Sequence, residues 1–192
     1  MTKMTIFLTP GFADWEAALL SASARIYYGV NVVYVSMDGK PVQSAGGMQV
    51  TPDGALTKAL AAESDALILV GGTIWRETPP DIAAFLKVAK SHGTLIAAIC
   101  DATRALAGAG FLNNVKHTAN DADTLDVPGY EGDLRFSQSS AAIRDERIVT
   151  APGTAPVSFM TEVLRGLGLG DANLDFYVGM MAAEHGAMKR AA

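Results

Sequence analysis

The stretch that decides the fold is Thr94-Leu95-Ile96-Ala97-Ala98-Ile99-Cys100-Asp101-Ala102, an apolar run that ends at a cysteine. Such a run, apolar almost without interruption, is typical of a strand buried on both faces of a parallel sheet. A helix-like stretch, Ala102 to Ala109, follows directly and ends at Gly110. We therefore predict a strand that passes into a helix at Cys100, with the thiol at the carboxyl end of the strand.

Three further apolar runs alternate with helix-like stretches along the chain. The runs are Met4 to Thr9, Val30 to Met37 and Ala66 to Val70. The helix-like stretches are Trp15 to Tyr28 after a predicted N-cap at Asp14, Asp81 to Ser91 after Pro79-Pro80, and Ala155 to Leu167 before Gly168. Strands and helices that alternate at this spacing predict an α/β fold, in which helices cover both faces of a mostly parallel sheet.

Two regions interrupt this alternation. Asp38-Gly39-Lys40-Pro41 and Ala45-Gly46-Gly47 flank short segments, which predicts a hairpin at the sheet edge. The polar region Asn120 to Arg135 predicts an irregular excursion, followed by strand-like segments at Phe136 to Ile143 and Arg147 to Thr150. Because the sequence has no repeat, low-complexity tract or linker, we expect residues 1–192 to form a single domain.

Composition excludes several classes of protein. The 192 residues carry a net charge of −5, and 49% are hydrophobic while only 18% are charged, which is typical of a compact globular protein. The acidic balance argues against general binding to nucleic acid or anionic membranes, because phosphate binding needs clustered Lys and Arg. The sequence has neither a signal-peptide pattern nor an apolar stretch of the ~20 residues that a membrane span needs. We therefore expect a cytoplasmic protein.

The chain has one cysteine, Cys100, and three histidines, His92, His117 and His185. A single cysteine excludes disulfides within the chain and four-thiolate zinc sites. No two of the three histidines are at metal-ligand spacing in the sequence, and none of them is at that spacing from Cys100. We therefore predict no metal and no cofactor. In a reducing compartment Cys100 is a thiol, which is either inert packing or part of the chemistry.

Turn residues follow the predicted strands at four places. Pro10-Gly11, Gly71-Gly72, Cys100 and Gly153-Thr154 each come directly after an apolar run. The carboxyl ends of parallel strands meet at one edge of the sheet, where ligands usually bind. The topology therefore predicts that these four segments surround one site.

The neighbours of Cys100 have the layout of a nucleophile elbow. Ala98 and Ala102, two residues before and after it, leave room for a strained backbone. The N–H groups at the start of the following helix would favour the thiolate. Asp101 either caps that helix or, with its side chain turned inward, opposes thiolate formation. The alternative interpretation is that a free cysteine is often simply buried in the core.

Other residues at this edge also have two interpretations. Glu16 lies in the first turn of a helix, where acids are favoured, but its carboxyl group can also move a proton near Cys100. The backbone N–H groups of Gly72 and Asp101 would form an oxyanion hole, although tight turns contain glycine in any case. Trp75 and Arg76 either wall the pocket or form a rim or oligomer contact.

Four motifs carry a resemblance to a known family. They are Gly11-Phe12-Ala13-Asp14-Trp15-Glu16, Leu69-Val70-Gly71-Gly72, Ala97-Ala98-Ile99-Cys100 and Thr150-Ala151-Pro152-Gly153-Thr154. In this order the sequence resembles the ThiJ/PfpI (DJ-1-like) superfamily. The resemblance implies a flavodoxin-like three-layer α/β/α sandwich with a class I glutamine amidotransferase-like core, commonly a homodimer. It also implies that Cys100 is the nucleophile, Glu16 a protonated acid at its sulfur, and Gly72 and Asp101 backbone donors.

The sequence departs from this superfamily at two positions. Hydrolase and glyoxalase members carry a histidine after the elbow helix, and an ungapped alignment places Asn120 there. Asn120 can hold a hydrogen bond but cannot act as a general base. His117 is three residues earlier and would point to the opposite face of a strand. Asp101 stands where the protease-like branch has histidine, which argues against proteolysis. The residues predicted to bind substrate or support the catalytic group are Asn120, His117, Trp75, Gly71 and Thr154.

Three functional hypotheses remain open at this point. The first is a cysteine-dependent hydrolase or lyase that acts on small carbonyl or amide-like compounds. The second is a redox or electrophile sensor, in which an oxidant converts Cys100 to a sulfinate. The third is a dimeric binding or chaperone-like protein that uses Asn120 to Arg135 and a C-terminal helix, Ala172 to Lys189. That helix carries an apolar stripe typical of a core or dimer seam: Phe176, Tyr177, Met180 and Met181.

Overall fold

The computed structural model describes residues 1–191, and at positions 185 and 187–191 it describes the backbone alone. The side chain of His185 and the residue Ala192 therefore lie outside the described residues. The strands are β1 (Lys3–Phe7), β2 (Asn31–Ser36), β3 (Val42–Gln43), β4 (Gln49–Val50), β5 (Gly54–Ala55), β6 (Ala66–Leu69), β7 (Leu95–Ile99), β8 (Ile143–Asp145) and β9 (Ile148–Ala151). The helices are α1 (Asp14–Tyr28), α2 (Lys58–Glu63), α3 (Ile74–Glu77), α4 (Ala83–Ser91), α5 (Thr103–Gly108), α6 (Pro156–Gly166) and α7 (Ala172–Ala191).

Seven strands form the central sheet in the order β5-β2-β1-β6-β7-β9-β8. All neighbouring pairs are parallel except β8 and β9, which are antiparallel. Strand β7 lies between β6 and β9, so that Ala98 pairs with Leu69 on one side and Ile99 pairs with Ala151 on the other. This register brings the loops after β6, β7 and β9 together at one edge. The predicted α/β/α sandwich with a mostly parallel sheet is confirmed.

Helices cover both faces of the sheet, which explains why β6 and β7 are apolar throughout. Every residue of these two strands is buried. One face packs against α1, α6 and the start of α7, through residues such as Leu20, Phe159 and Leu174. The other face packs against α2, α4 and α5, through residues such as Leu86 and Leu106. A polar side chain on either face would lose its hydration without a hydrogen bond in return.

The predicted hairpin exists, but its place on the sheet edge is wrong. Strands β3 and β4 pair with each other as a separate two-stranded sheet, and β5 occupies the edge. The hairpin bonds instead to the loop between β1 and α1, since Gly11 N–H donates to Gln43 O at 2.8 Å and Ala45 N–H to Phe12 O at 2.8 Å. It therefore supports the loop that leads into α1.

Three other local predictions differ from the structure. Asp14 does not cap α1, because it lies inside the helix and its Oδ2 accepts the N–H of Gly46 at 2.8 Å. Helix α4 begins at Ala83, two residues later than predicted. Within 136–143 only Phe136 forms a bridge, to His117, before β8 begins at Ile143. The segment Asn120 to Arg135 is irregular, as predicted, with two short 3₁₀ turns, Asp123–Leu125 and Asp133–Arg135.

Candidate active site

Cys100 stands at a strained turn between β7 and the following helical segment. Ile99 is extended, whereas Cys100 has a φ of +60°, a value that is uncommon for a non-glycine residue. A 3₁₀ turn, Cys100–Ala102, leads into α5. The strain costs on the order of 1–3 kcal/mol and persists only where the surroundings hold it. The predicted elbow is therefore present, and it lifts the thiol out of the strand toward the loops at the sheet edge.

Glycine at position 71 leaves room for this turn. A Cβ atom there would lie 2.5 Å from Cys100 Cβ and 2.6 Å from Glu16 Oε2. Carbon atoms in contact are normally separated by about 3.5–4.0 Å, so any side chain at this position would push the cysteine and the acid away. Its backbone N–H also donates to Glu16 Oε2 at 2.8 Å. Gly71 thus positions the acid as well as admitting the thiol.

Glu16 comes from the first turn of α1, and only 1% of it is exposed. Its Oε1 atom is buried and has no hydrogen-bond partner among the described residues. A Cβ atom on Gly153 would lie 2.9 Å from this oxygen and 2.9 Å from Cys100 Sγ, so the two atoms border the same small space. Because Oε2 accepts from Gly71, a proton on this carboxyl group belongs on Oε1, facing the sulfur.

Burial controls the proton affinity of both groups. It raises the pKa of Glu16 to about 7, against the opposing effects of the Gly71 N–H and the neighbouring thiol. Burial, together with the charge of Glu16, raises the pKa of the Cys100 thiol to about 11. The expected preference for the thiolate is therefore not seen, since α5 has six residues and its N-terminus does not offset desolvation. The two titrations are coupled, because a neutral Glu16 removes a charge that opposes the thiolate.

Asn120 supplies a side-chain donor to the sulfur. Its Nδ2 atom donates to Cys100 Sγ at 3.3 Å and to Asp101 Oδ1 at 3.1 Å. Its Oδ1 atom accepts the N–H of Gly153 at 2.8 Å. The amide orientation follows from these partners, because a flipped amide would set its oxygen against a carboxylate and its NH₂ against an N–H group. Asn120 is thus a fixed donor to the sulfur.

Asp101 is held by Arg76, which the sequence indicates only as a wall or rim of the pocket. Arg76 Nε donates to Asp101 Oδ2 at 2.8 Å, and Arg76 Nη2 donates to Thr124 Oγ1 at 3.0 Å. Asp101 therefore neither caps the helix with its side chain nor faces the thiol unpaired. The available signal was position, because Arg76 follows the Gly71-Gly72 turn by four residues and so starts from the same sheet edge.

The two predicted oxyanion donors flank the cysteine, and they differ in their present partners. Among the described residues, Gly72 N–H donates to no protein acceptor. A Cβ atom at Gly72 would lie 2.8 Å from Gly11 O, so glycine is required there. The backbone N–H of Asp101 lowers the pKa of the Cys100 thiol. Both groups can serve an oxygen atom that forms beside the sulfur.

An open cleft of about 570 Å³ leads to the thiol. The residues that line it are Trp15, Glu16, Cys100, Asn120, Gly153, Thr154 and Pro156. The indole N–H of Trp15 donates to Gly153 O at 3.1 Å, while 55% of the residue is exposed. In the sequence Trp15 is part of a motif with no role of its own, and the signal for its place at the cleft is its position directly before Glu16. Within the described residues, no group of three or more His, Cys, Asp or Glu could hold a metal ion.

Two residues that were predicted to support the site lie elsewhere. His117 is fully buried, with Nδ1 at 2.8 Å from Val115 O and Nε2 at 2.9 Å from Tyr130 Oη. Burial lowers the pKa of His117, and the ring does not reach Cys100. Trp75 is 1% exposed and donates its indole N–H to Val70 O at 2.8 Å, so it is a core residue and not a pocket wall or rim.

Comparisons with known proteins identify the family of this chain. A family model described as the DJ-1/PfpI family matches residues 2–166. A Bacillus subtilis protein named uncharacterized protease YoaZ is 36% identical over 175 residues, which are 86% of this chain and 83% of the relative. Caenorhabditis elegans DJR-1.2, named a glutathione-independent glyoxalase, is 28% identical over 157 residues, 78% of this chain and 81% of the relative.

Solved structures show the same fold over nearly the full length. The DJ-1 superfamily protein Atu0886 from Agrobacterium tumefaciens is 40% identical, with a TM-score of 0.92, and the match covers 96% of this chain and 100% of that one. No helix within residues 1–191 is long and apolar enough to cross a membrane. The buried acid beside the elbow cysteine, the family match and this structural likeness lead to one conclusion. The chain belongs to the DJ-1/PfpI family.

Proposed function

We propose that this protein is a cysteine-dependent enzyme that acts on small carbonyl compounds, with 2-oxoaldehydes such as methylglyoxal as the favoured substrates. The observation that carries the proposal is Glu16, whose unpartnered Oε1 faces the thiol and whose pKa is raised to about 7. A buried acid with a pKa near neutrality both takes and gives a proton efficiently. The relative named a glutathione-independent glyoxalase supports the same substrate class.

The first step is addition of the thiol to the aldehyde. As the C–S bond forms, the C=O π electrons move to oxygen, and Glu16, as the carboxylate, takes the thiol proton and passes it to that oxygen. The N–H of Gly72 and the NH₂ of Asn120 are the donors available to the developing oxyanion. The product is a hemithioacetal on Cys100.

The second step moves a proton between neighbouring carbon atoms. Glu16 removes the hydrogen of the former aldehyde carbon as a proton and returns a proton to the adjacent carbonyl carbon, while the hydroxyl proton of the first carbon moves to the oxygen of the second. The first carbon is oxidised to a thioester and the second is reduced to an alcohol, so no external oxidant is needed. Water then hydrolyses the thioester, which releases a 2-hydroxy acid and restores the Cys100 thiol.

Proteolysis is not proposed, although one relative is named a protease. No histidine side chain among the described residues hydrogen-bonds to Cys100. Asp101, which follows the cysteine, is engaged by Arg76 and Asn120. A cysteine protease of the papain type pairs its thiol with a histidine, and that partner is missing from these contacts.

The experiment is turnover of methylglyoxal, glyoxal and a set of small amides at pH 7, with detection of the acid product. Cys100→Ser should abolish turnover, and Glu16→Gln should reduce it at least 100-fold, which is within the usual range for loss of a general acid–base. Glu63→Gln is the matched control, because Glu63 is an exposed acid on α2. If the parent protein turns over none of these compounds, or if Cys100→Ser retains activity, the proposal is wrong.

A second candidate function is a redox or electrophile sensor. It rests on the donors around the sulfur, namely Asn120 Nδ2, the N–H of Asp101 and a protonated Glu16. Peroxide would convert the thiolate to a sulfenate with release of water, and a second peroxide would give a sulfinate, whose oxygens these donors would hold. Intact-mass measurement after mild peroxide should show two added oxygens, with a different yield in Glu16→Asp. Equal yields would remove Glu16 from this account.

We also propose that the protein forms a homodimer in the cytoplasm, where the thiol is kept reduced. The outer surfaces of α1 and α7 expose four large apolar side chains: Ile26, Tyr27, Phe176 and Met180. A patch of this kind on one molecule often marks a contact with another. Light scattering should give twice the chain mass, and Phe176→Asp should shift the protein toward monomer. A monomeric parent protein would contradict the proposal.

A further inference from the structure

Four side chains form a hydrogen-bonded chain from the protein surface to the sulfur. Arg76, with 44% of its side chain exposed, holds Asp101, with 11% exposed. Asp101 accepts from Asn120, and Asn120 donates to Cys100. Each carboxylate oxygen of Asp101 has a different partner, since Oδ2 accepts from Arg76 and Oδ1 from Asn120. The conformation of the Asn120 amide therefore depends on an arginine that does not touch the sulfur.

We propose that Arg76 is a positioning residue for the cysteine site. Arg76 holds the Asp101 carboxylate so that the Asn120 amide presents its NH₂ to the sulfur. It also offsets the negative charge of Asp101 beside the thiol. The inference concerns the nucleophile of the proposed enzyme. It does not depend on which substrate that nucleophile attacks.

The geometry of Arg76 suits this role better than a lysine would. Its guanidinium group bonds to Asp101 through Nε and to Thr124 through Nη2, so two fixed points define its plane. Thr124 is in turn held by Asp121, whose Oδ1 accepts from the Thr124 N–H at 2.7 Å and from its hydroxyl at 2.8 Å. A lysine has one flexible point charge and cannot hold both partners in this fork.

The charges around the thiol show why a cation is needed. Glu16 on α1 and Asp101 at the elbow both raise the pKa of Cys100 by their negative charge. Arg76 on α3 is the cation of this group, and its own pKa is raised by Asp101, Asp121 and Cys100. Loss of Arg76 would leave the nearly buried Asp101 carboxylate without its counter-ion next to a thiol that must ionise.

The experiment measures the rate of Cys100 alkylation by iodoacetamide between pH 7 and 9.5. Cys100 is the only cysteine, so the rate reports on this thiol alone. Arg76→Met should slow alkylation at pH 8 roughly threefold to tenfold, which corresponds to about half to one pKa unit. Arg76→Lys should recover part of this loss, because it restores the charge without the fork. Arg76→Met should then be made in a protein that already carries Asp101→Asn. In that background the change in the logarithm of the alkylation rate should be at most half of the change in the parent protein.

Arg104→Lys is the matched control. Arg104 also bonds to Thr124, through Nη1 to Thr124 O at 2.8 Å, but no hydrogen bond or ion pair links it to Asp101 among the described contacts. Its alkylation profile should match that of the parent protein. If Arg76→Met does not fold, Arg76→Lys carries the test, with a rate at least about twofold below that of Arg104→Lys.

Two results would overturn the proposal. One is that the folded Arg76 variants alkylate at the rate of Arg104→Lys. The other is that Asp101→Asn leaves the effect of Arg76→Met undiminished, because Arg76 then acts by a route that bypasses Asp101. Neither measurement requires turnover. If the protein had no activity toward carbonyl compounds, the proposed function would be wrong, and the alkylation rates would still test the role of Arg76.

Discussion

Glu16→Gln should remove a large pH dependence of stability. In the folded protein the pKa of Glu16 is raised from its ordinary value of 4.5 to about 7, because the carboxyl group is buried. The folded state therefore holds this proton at pH values where the unfolded state has released it, and stability falls as pH rises through this window. One pKa unit corresponds to about 1.4 kcal/mol. Ionisation of Glu16 therefore lowers the free energy of unfolding by about 3 kcal/mol over the whole titration, and about 2.5 kcal/mol of this loss occurs between pH 5 and 8.

Glutamine has the shape of glutamic acid without its ionisation, so the variant isolates this effect. Urea unfolding of both proteins at several pH values between 5 and 8 gives the free energy of unfolding as a function of pH. The difference between parent and variant should change by about 2.5 kcal/mol, with the parent losing stability relative to the variant as pH rises. His117, whose pKa is lowered by burial, acts in the opposite direction in the same window, but both proteins contain it.

The result that would refute this reasoning is a constant difference between the two unfolding curves. Glu16 would then titrate in the folded protein as it does in the unfolded one, and burial would not control its proton. A neutral Glu16 near pH 7 would lose its support, and with it the proton transfer to and from Cys100 in the proposed mechanism.

Three further substitutions test the geometry of the site. Gly153→Ala places a methyl group 2.9 Å from both Cys100 Sγ and Glu16 Oε1. It should therefore lower the free energy of unfolding by about 1–3 kcal/mol and abolish turnover. The control is Gly179→Ala on α7, which meets no atom within 4 Å and should have neither effect. Tyr130→Phe leaves His117 Nε2 buried without its partner and should cost about 1–3 kcal/mol in urea unfolding without changing the rate of Cys100 alkylation. Trp15→Ala removes a wall of the cleft and should raise KM more than it lowers kcat in steady-state assays.

The order and type of the main elements could be predicted because each has a local cause. Strands β6 and β7 are apolar throughout, and β1 is buried from Met4 to Phe7, a pattern that a sheet covered on both faces requires. The hairpin could be predicted from its turn residues, but its partner could not. The hairpin hydrogen-bonds to backbone groups of Gly11 and Phe12. Because every residue type carries such groups, the amino-acid sequence does not indicate these bonds.

Some residues of the site could also be predicted from the sequence, and others could not. Cys100, Glu16 and Gly71 follow from position along the chain, because each lies at a strand end or in the first turn of a helix. Trp75 illustrates the limit, since the side chain of a residue in a short helix after a turn can face either the cleft or the core. It faces the core, where its ring packs against Phe7 at 6.1 Å between centroids. The Arg76–Asp101 pair joins residues 25 positions apart, and no periodicity connects them.

The charges explain how a thiol with a raised pKa can still be a nucleophile. Asp101 and Arg76 cancel as an ion pair, so the buried centre carries one negative charge, on either Glu16 or Cys100, when one proton is shared between them. Moving that proton from sulfur to Glu16 Oε1 changes the position of the charge but not its amount. The burial that disfavours a second negative charge therefore does not oppose this transfer to the same degree. A carbonyl compound or an oxidant that reacts with the thiolate draws the equilibrium toward it. Removing Arg76 would leave Asp101 unpaired and place a second negative charge in the same buried centre, which is why its loss should slow every reaction of the sulfur.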